Sequence, residues 1–232
     1  MSENHILAFD LSFNTDLKYH IPRPLIIEYK DTELGYVVKT ANSKTLASYQ
    51  IHPDETSKEL MALCQKLHPH TLHKRYNSNN KVAKPINQLL EVESFKTIIN
   101  QYIEVSLEKF LKTISKTEKP LSIQLEKHQK FENHQVFFSA IELEPKLYFH
   151  KKDDILEYRL SLLDTNHELI PSQDHLGILL DHPPFIVHKN TIRTLKYINA
   201  NKLKPFLHKD VIKIPKRSSA VYFNTFIKQV IK

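Results

Sequence analysis

The segment 92–115, VESFKTIINQYIEVSLEKFLKTIS, changes the period of the chain. Phe95, Ile98, Ile99, Tyr102, Ile103, Leu107, Phe110, Leu111 and Ile114 recur at three- and four-residue intervals. That spacing predicts one long amphipathic helix with a broad buried stripe. The sequence on both sides is different. It runs in short β-branched and aromatic stretches punctuated by Pro, Asn and Asp. A long helix set among short strands makes the expected fold class α+β.

Toward the N-terminus, ILAFDL (6–11), PLIIEYK (24–30), GYVVKTA (35–41) and TLASYQI (45–51) read as strands. PDETSKELMALCQKL (53–67) reads as a second helix, with acids in its first turn and Leu60, Leu63, Cys64 and Leu67 on one face. HPHTLHKRYNSNNKVAKP (68–85) is polar and irregular and reads as a loop. Beyond SKTEKP (115–120), strand-like stretches come at short spacing: LSIQLEK, HQVFFSAIEL, KLYFHKK, DILEYRLSLLD, HELIP, HLGILLD, PFIVHK, TIRTLKYI and DVIKIP. They suggest an antiparallel meander or a curved sheet. SSAVYFNTFIKQVIK (218–232) reads as a closing helix with Ser218 or Ser219 as N-cap and a stripe of Tyr222, Phe223, Phe226, Ile227, Val230 and Ile231. The chain stops inside this apolar pattern, which predicts that the natural protein continues. Two parts are expected: residues 1–120, mixed strands with two helices, and residues 121–232, β-rich with the C-terminal helix. A boundary anywhere in 116–146 is compatible with the pattern, and so is one continuous sheet.

Composition narrows the chemistry. Of 232 residues only two are glycine, Gly35 and Gly177. A phosphate-binding loop or dinucleotide fingerprint needs clustered glycines, so this chain carries neither and no ATP site is expected in it. Cys64 is the only cysteine, which excludes an internal disulfide and fits a reducing compartment. The N-terminus MSENHILAFDL has no signal-like pattern, and no run has the length of a membrane span, so a cytoplasmic location is expected.

Charge is unevenly placed. The net charge is +7, and the last 32 residues alone hold eight Lys/Arg against one acid, Asp210. The preceding 200 residues are balanced, with 25 basic and 25 acidic side chains. Such asymmetry suggests an anionic partner. Lys202, Lys204, Lys209, Lys213, Lys216 and Arg217 are therefore the expected nucleic-acid contacts. The last two begin a helix, where basic side chains suit the dipole poorly unless a phosphate is bound. Phe206, Tyr222 and Phe223 fall in apolar patterns and are expected in the core. The competing readings of the lysines are a surface docking on another part of a longer chain, and simple solubility.

Other constellations are weaker. His68, His70 and His73 lie within six residues but lack a nearby Cys or Asp to complete a ligand set, and read as loop histidines. Asp174–His175 or Asp181–His182 with Ser218 and Ser219 lack a nucleophile elbow. Asp153 and Asp154 read as a hairpin tip, Cys64 as a buried inert thiol, and Pro183–Pro184 as a turn. No catalytic residue, cofactor or metal ligand is expected in the chain.

KLYFHKKDDILEYRLSLLDTNHELIP, HLGILLDHPPFIVHKNTIRTLKYINANKLKPFL and KDVIKIPKRSSAVYFNTFIKQVI together resemble the accessory region that precedes the motor in bacterial, Bacteroidetes-type SWI/SNF-like helicases. The likeness covers about residues 147–232 and lies in the order of elements. It implies a parent that is a DNA-dependent ATPase with its motor downstream, where ATP and Mg²⁺ would bind. It implies duplex DNA and that motor as partners, and no membrane. The zinc module of some relatives is absent, since one cysteine cannot supply it. The alternative is a protein-interaction scaffold without nucleic-acid contact. A small standalone hydrolase is a third reading.

Overall fold

The computed structural model describes residues 4–30, 33–77, 85–152, 154–165, 169–170, 176–207, 209 and 211–227. It is α+β. The chain divides into two compact units, 1–137 and 138–232. Residues 121–137, read from sequence with the second part, thus pack with the first.

The first unit is organised around β1 (Asn4–Asn14), which is buried on both faces from Leu7 to Leu11. It pairs antiparallel along its whole length with β2 (Tyr19–Lys30), which in turn pairs with β3 (Glu33–Thr40). On its other side β1 pairs parallel with β4 (Leu121–Ile123), and β4 pairs antiparallel with β5 (Gln135–Phe138). One face carries Ala8, Leu25, Ile27 and Leu34, which close over Leu125 and Phe131. The fully buried Asp10 joins three strands. Its carboxylate accepts from Ser12 Oγ (2.5 Å), Arg23 Nε (2.8 Å), Ser122 Oγ (2.8 Å) and the Leu125 amide (3.2 Å).

The helices follow between β3 and β4. The stretch TLASYQI, expected as a strand, is instead mostly α1 (Ser43–Ser48). Asn42 starts it with a capping box: its side chain accepts from the Lys44 and Thr45 amides at 3.0 Å, and the Asn42 amide donates to Thr45 Oγ1 at 2.8 Å. These bonds satisfy helix donors that a strand would leave to a neighbour. Next comes α2 (Glu55–Leu67), capped by Asp54, with Leu60, Leu63, Cys64 and Leu67 buried. Burial pushes the Cys64 thiol pKa up. The expected loop after it is a helix over its first part, α3 (Pro69–Asn77). Pro69 begins α3, where its missing N–H costs nothing, and Leu72 is fully buried. The rest of that loop, residues 78–84, lies outside the described residues. A short α4 (Ile86–Leu90) leads into α5 (Glu93–Ile114), the long helix. Ile99, Ile103, Leu107, Phe110, Leu111 and Ile114 are buried, and Phe110 meets Phe9 of β1 edge to face at 5.7 Å. Phe95 and Tyr102 are half-buried, and Ile98 is exposed, so the stripe is narrower at its N-terminal end than its spacing suggests.

The second unit contains two groups of strands. β6 (Glu144–Lys152), β7 (Ile155–Leu163) and β8 (Leu169–Ile170) form one group with β12 (Ile212–Pro215), in the order β12-β7-β6 with β8 on the far end of β7. β9 (Leu176–Leu180), β10 (Phe185–His188) and β11 (Thr191–Thr194) form an antiparallel meander. A 3-10 turn (Ala200–Phe206) separates the meander from β12. Their shared core is Leu143, Tyr158, Leu160, Leu162, Ile186, Leu195, Ala200, Leu203, Phe206 and Ile214. The chain then enters α6 (Lys216–Tyr222), which passes into a wider turn over Phe223–Ile227. α6 begins two residues before the expected cap. Pro215 occupies the N-cap position, and Ser219 Oγ donates back to the Lys216 carbonyl instead of capping. Among the described residues no helix is long and apolar enough to cross a membrane.

Candidate nucleic-acid interface

The pleat gives the β6–β7–β12 sheet an inner and an outer side, but β6 itself is half-buried over 144–147 and exposed on both sides over 148–152, with Lys151 on the inner side. Leu156, Tyr158, Leu160 and Leu162 of β7 face inward, opposite Ile212 and Ile214 of β12 and Leu147 and Phe149 of β6. The inward aromatics form a cluster. Phe149 stacks on Tyr158 at 5.6 Å, Phe206 meets the same ring edge to face at 5.6 Å, and Tyr222 and Phe223 pack beside them. The Tyr222 hydroxyl donates to the Tyr158 hydroxyl, and burial raises the pKa of both. Phe206 and Tyr222 are thus occupied in holding the 3-10 turn and α6 against the sheet, whereas Phe223, expected in the core, is 38% exposed at the edge of the cluster.

This layering sorts the six basic residues. Lys213 points to the outer face of the sheet, because its neighbours Ile212 and Ile214 point inward. Lys202 and Lys204 are exposed on the 3-10 turn, whose Leu203 and Phe206 cover the inner face. Lys209 is exposed in the connection to β12. Lys216 and Arg217 are exposed at the start of α6. The six therefore lie on different surfaces of the second unit: the outer face of the sheet, the turn over its inner face, and the start of α6.

Two of them have acidic neighbours that spacing alone does not reveal. Lys213 Nζ lies 3.2 Å from Glu157 across the β12–β7 pair. Lys216 Nζ lies 3.0 Å from Asp154, and the Lys216 amide donates to the Asp154 carbonyl at 2.7 Å. Part of the helix start that could have met a phosphate is therefore already bonded. The exposed Lys216–Asp154 pair is weak, about 0–1 kcal/mol, and a phosphate can displace it, whereas the Glu157 partner of Lys213 is largely covered.

The sheet also brings up cations that the terminal charge count overlooks. Lys146, Tyr148, His150 and Lys152 of β6 share the outer face with Glu157 and Arg159 of β7 and with Lys213. Tyr148 sits directly opposite Arg159, and His150, Glu157 and Lys213 form one row across three strands. Lys146 is paired with Glu144 at 3.5 Å, whereas Lys152 and Arg159 are in no ion pair among the described residues. The alternation Lys146, Leu147, Tyr148, Phe149, His150 carried part of this signal in the sequence, and it ends at Lys151 and Lys152.

The other candidates resolve structurally. His68 ends α2, His70 and His73 lie on α3, and the His73 ring is 2.6 Å from the Asn77 amide nitrogen. Among the described residues no three His, Cys, Asp or Glu side chains converge on a metal position. Asp181 binds the start of the 3-10 turn, accepting from the Asn201 amide at 2.6 Å, and His182 is 3.3 Å from Asn199. The His182–Pro183 bond is cis. Asp153, Asp174 and His175 lie outside the described residues. A cleft of about 820 Å³ in the first unit is lined by His5, Tyr29, His52, Asp54, Lys119 and Glu132 among others, with acids and bases intermixed.

No protein-family model, curated protein or solved structure matches this chain.

Proposed function

We propose that this chain is a non-catalytic accessory domain of a SWI/SNF-like DNA-dependent ATPase, and that it contacts the phosphates of duplex DNA or regulates the motor through its second unit. One observation carries the nucleic-acid part: the second unit holds 15 Lys/Arg against 10 Asp/Glu, and Lys202, Lys204, Lys209, Lys213, Lys216 and Arg217 are all exposed on it. The ATPase parent rests on the resemblance of residues 147–232 alone. In this reading ATP and Mg²⁺ belong to the motor, and the chain itself binds neither.

Binding through charge should be weak and independent of sequence, with Kd about 10⁻⁴–10⁻⁶ M near physiological salt. If about four cations reach phosphates, log K should fall against log salt with a slope of about −3 to −4. Fluorescence anisotropy of a labelled duplex across a salt series measures it. No binding at low salt would remove the nucleic-acid reading.

The alternative is a protein-interaction scaffold. The feature that favours it is the exposed apolar edge of α5, where Ile98 is 53% and Val105 61% accessible. Under that reading the lysines dock on protein, and duplex DNA does not bind.

A further inference from the structure

We propose that the outer face of the β6–β7–β12 sheet is a platform for an unpaired nucleic-acid strand, on which Tyr148 stacks a base while Arg159 and Lys152 hold the flanking phosphates. This rests on the nucleic-acid reading above and adds to its duplex contacts a separate face for an unpaired strand.

The argument begins with what the pleat exposes. Tyr148 is 49% accessible on the outer side of β6, whereas on the inner side Leu147 packs against the core and Phe149, itself 44% accessible, stacks on Tyr158. Its ring packs on none of the aromatics that hold α6, unlike every other aromatic of this sheet. A flat aromatic ring beside a guanidinium is an apolar surface bordered by positive charge. That combination matches a base attached to a phosphate, since every base has a π-face. It suits neither an acidic peptide, which offers no ring, nor a duplex, whose bases are already stacked on one another.

Charge on the face has the matching sign. Lys146, Lys152, Arg159 and Lys213 stand against Glu144 and Glu157. Both acids are paired, to Lys146 and Lys213, which leaves Arg159 opposite the ring and Lys152 two rows away. Successive outward residues on a strand are about 7 Å apart. Lys152 and Arg159 thus bracket Tyr148 on one side and across the strand pair. Glu157 is the one acid in the middle of the face, and it marks the position where a phosphate is opposed.

The test is anisotropy of a labelled strand of about twelve thymidines, a length within the usual site sizes of single-strand binders. The comparisons are an abasic strand of equal length and a duplex. Tyr148→Ala should weaken thymidine-strand binding at least about fivefold, the lower end of what one stacked base is worth. Tyr148→Phe, which keeps the ring, should remain within about twofold, and Glu157→Gln should tighten binding by removing a like charge. Duplex affinity should be unchanged in Tyr148→Ala. Unfolding curves coincident with those of the unmodified chain show that the fold is intact. Unchanged binding of the thymidine strand by Tyr148→Ala, or equal binding of abasic and base-bearing strands, would overturn the platform while leaving duplex phosphate contact in place. Binding of neither strand nor duplex would overturn both readings.

Discussion

Phe110 and Ile98 lie twelve residues apart on one helix, with opposite environments. Phe110 has no accessible surface and meets Phe9, whereas Ile98 is half exposed. Truncating Phe110 to Ala should destabilise the chain by about 3–5 kcal/mol, the cost of a lost core aromatic. Ile98→Ala should stay within about 0.5 kcal/mol, as for surface positions. Urea unfolding of the two variants measures both. The apolar spacing of α5 fixed the direction of its buried face, but not its width. Of the apolar residues in 95–102 only Ile99 is buried, whereas most of those in 103–114 are, and nothing in the local pattern records that. Asp10 was illegible for a related reason. A lone acid in an apolar strand looks like an exposed residue until Arg23, Ser122 and Leu125, distant in sequence, supply its partners.

At the scale of elements, caps decided what hydrophobic pattern left open. Asn42 with Thr45 makes a helix of a stretch rich in strand-formers, and Pro69 opens a helix in a stretch expected to be a loop. Asp54 does the same for α2, and it should be measurable by pH. Its carboxylate accepts from the Ser57 amide at 2.7 Å and lies 3.1 Å from Lys119, which together hold its pKa down to about 2. The folded value is the lower one, so the stabilisation is fully present above the ordinary carboxylate range and is lost as pH falls toward 2. Asp54→Ala should cost about 1 kcal/mol at neutral pH. Asp54→Asn keeps an acceptor for the cap and removes the titration. Its stability should therefore change less than the parent's between about pH 5 and pH 2.5 in the same unfolding assay. A parallel loss in both would place the acid sensitivity elsewhere.

For the whole molecule, the strand-rich second half and the long helix were readable because period and turn residues are local properties. The division after Phe137 falls within the expected 116–146 window, but its place there was not readable, because β4 belongs to the first unit through its parallel pairing with β1, more than a hundred residues earlier. The candidate interface was half legible. Counting charge found Lys213, Lys216 and Arg217, but not Glu157 and Asp154 beside them, nor Arg159 and Tyr148 on the neighbouring strands. The central claim is that positive charge on the second unit forms a phosphate-binding site. The most direct measurement compares two triple substitutions on duplex DNA across a salt series. The first is Lys213→Gln, Lys216→Gln and Arg217→Gln. The second is Lys109→Gln and Lys112→Gln on α5, where they are paired with Glu59 and Glu108, together with Lys116→Gln just beyond its end. The first should flatten the slope of log K against log salt by up to about 3, and the second should leave it alone. Equal effects from the two would contradict a localised site and mean that charge acts diffusely.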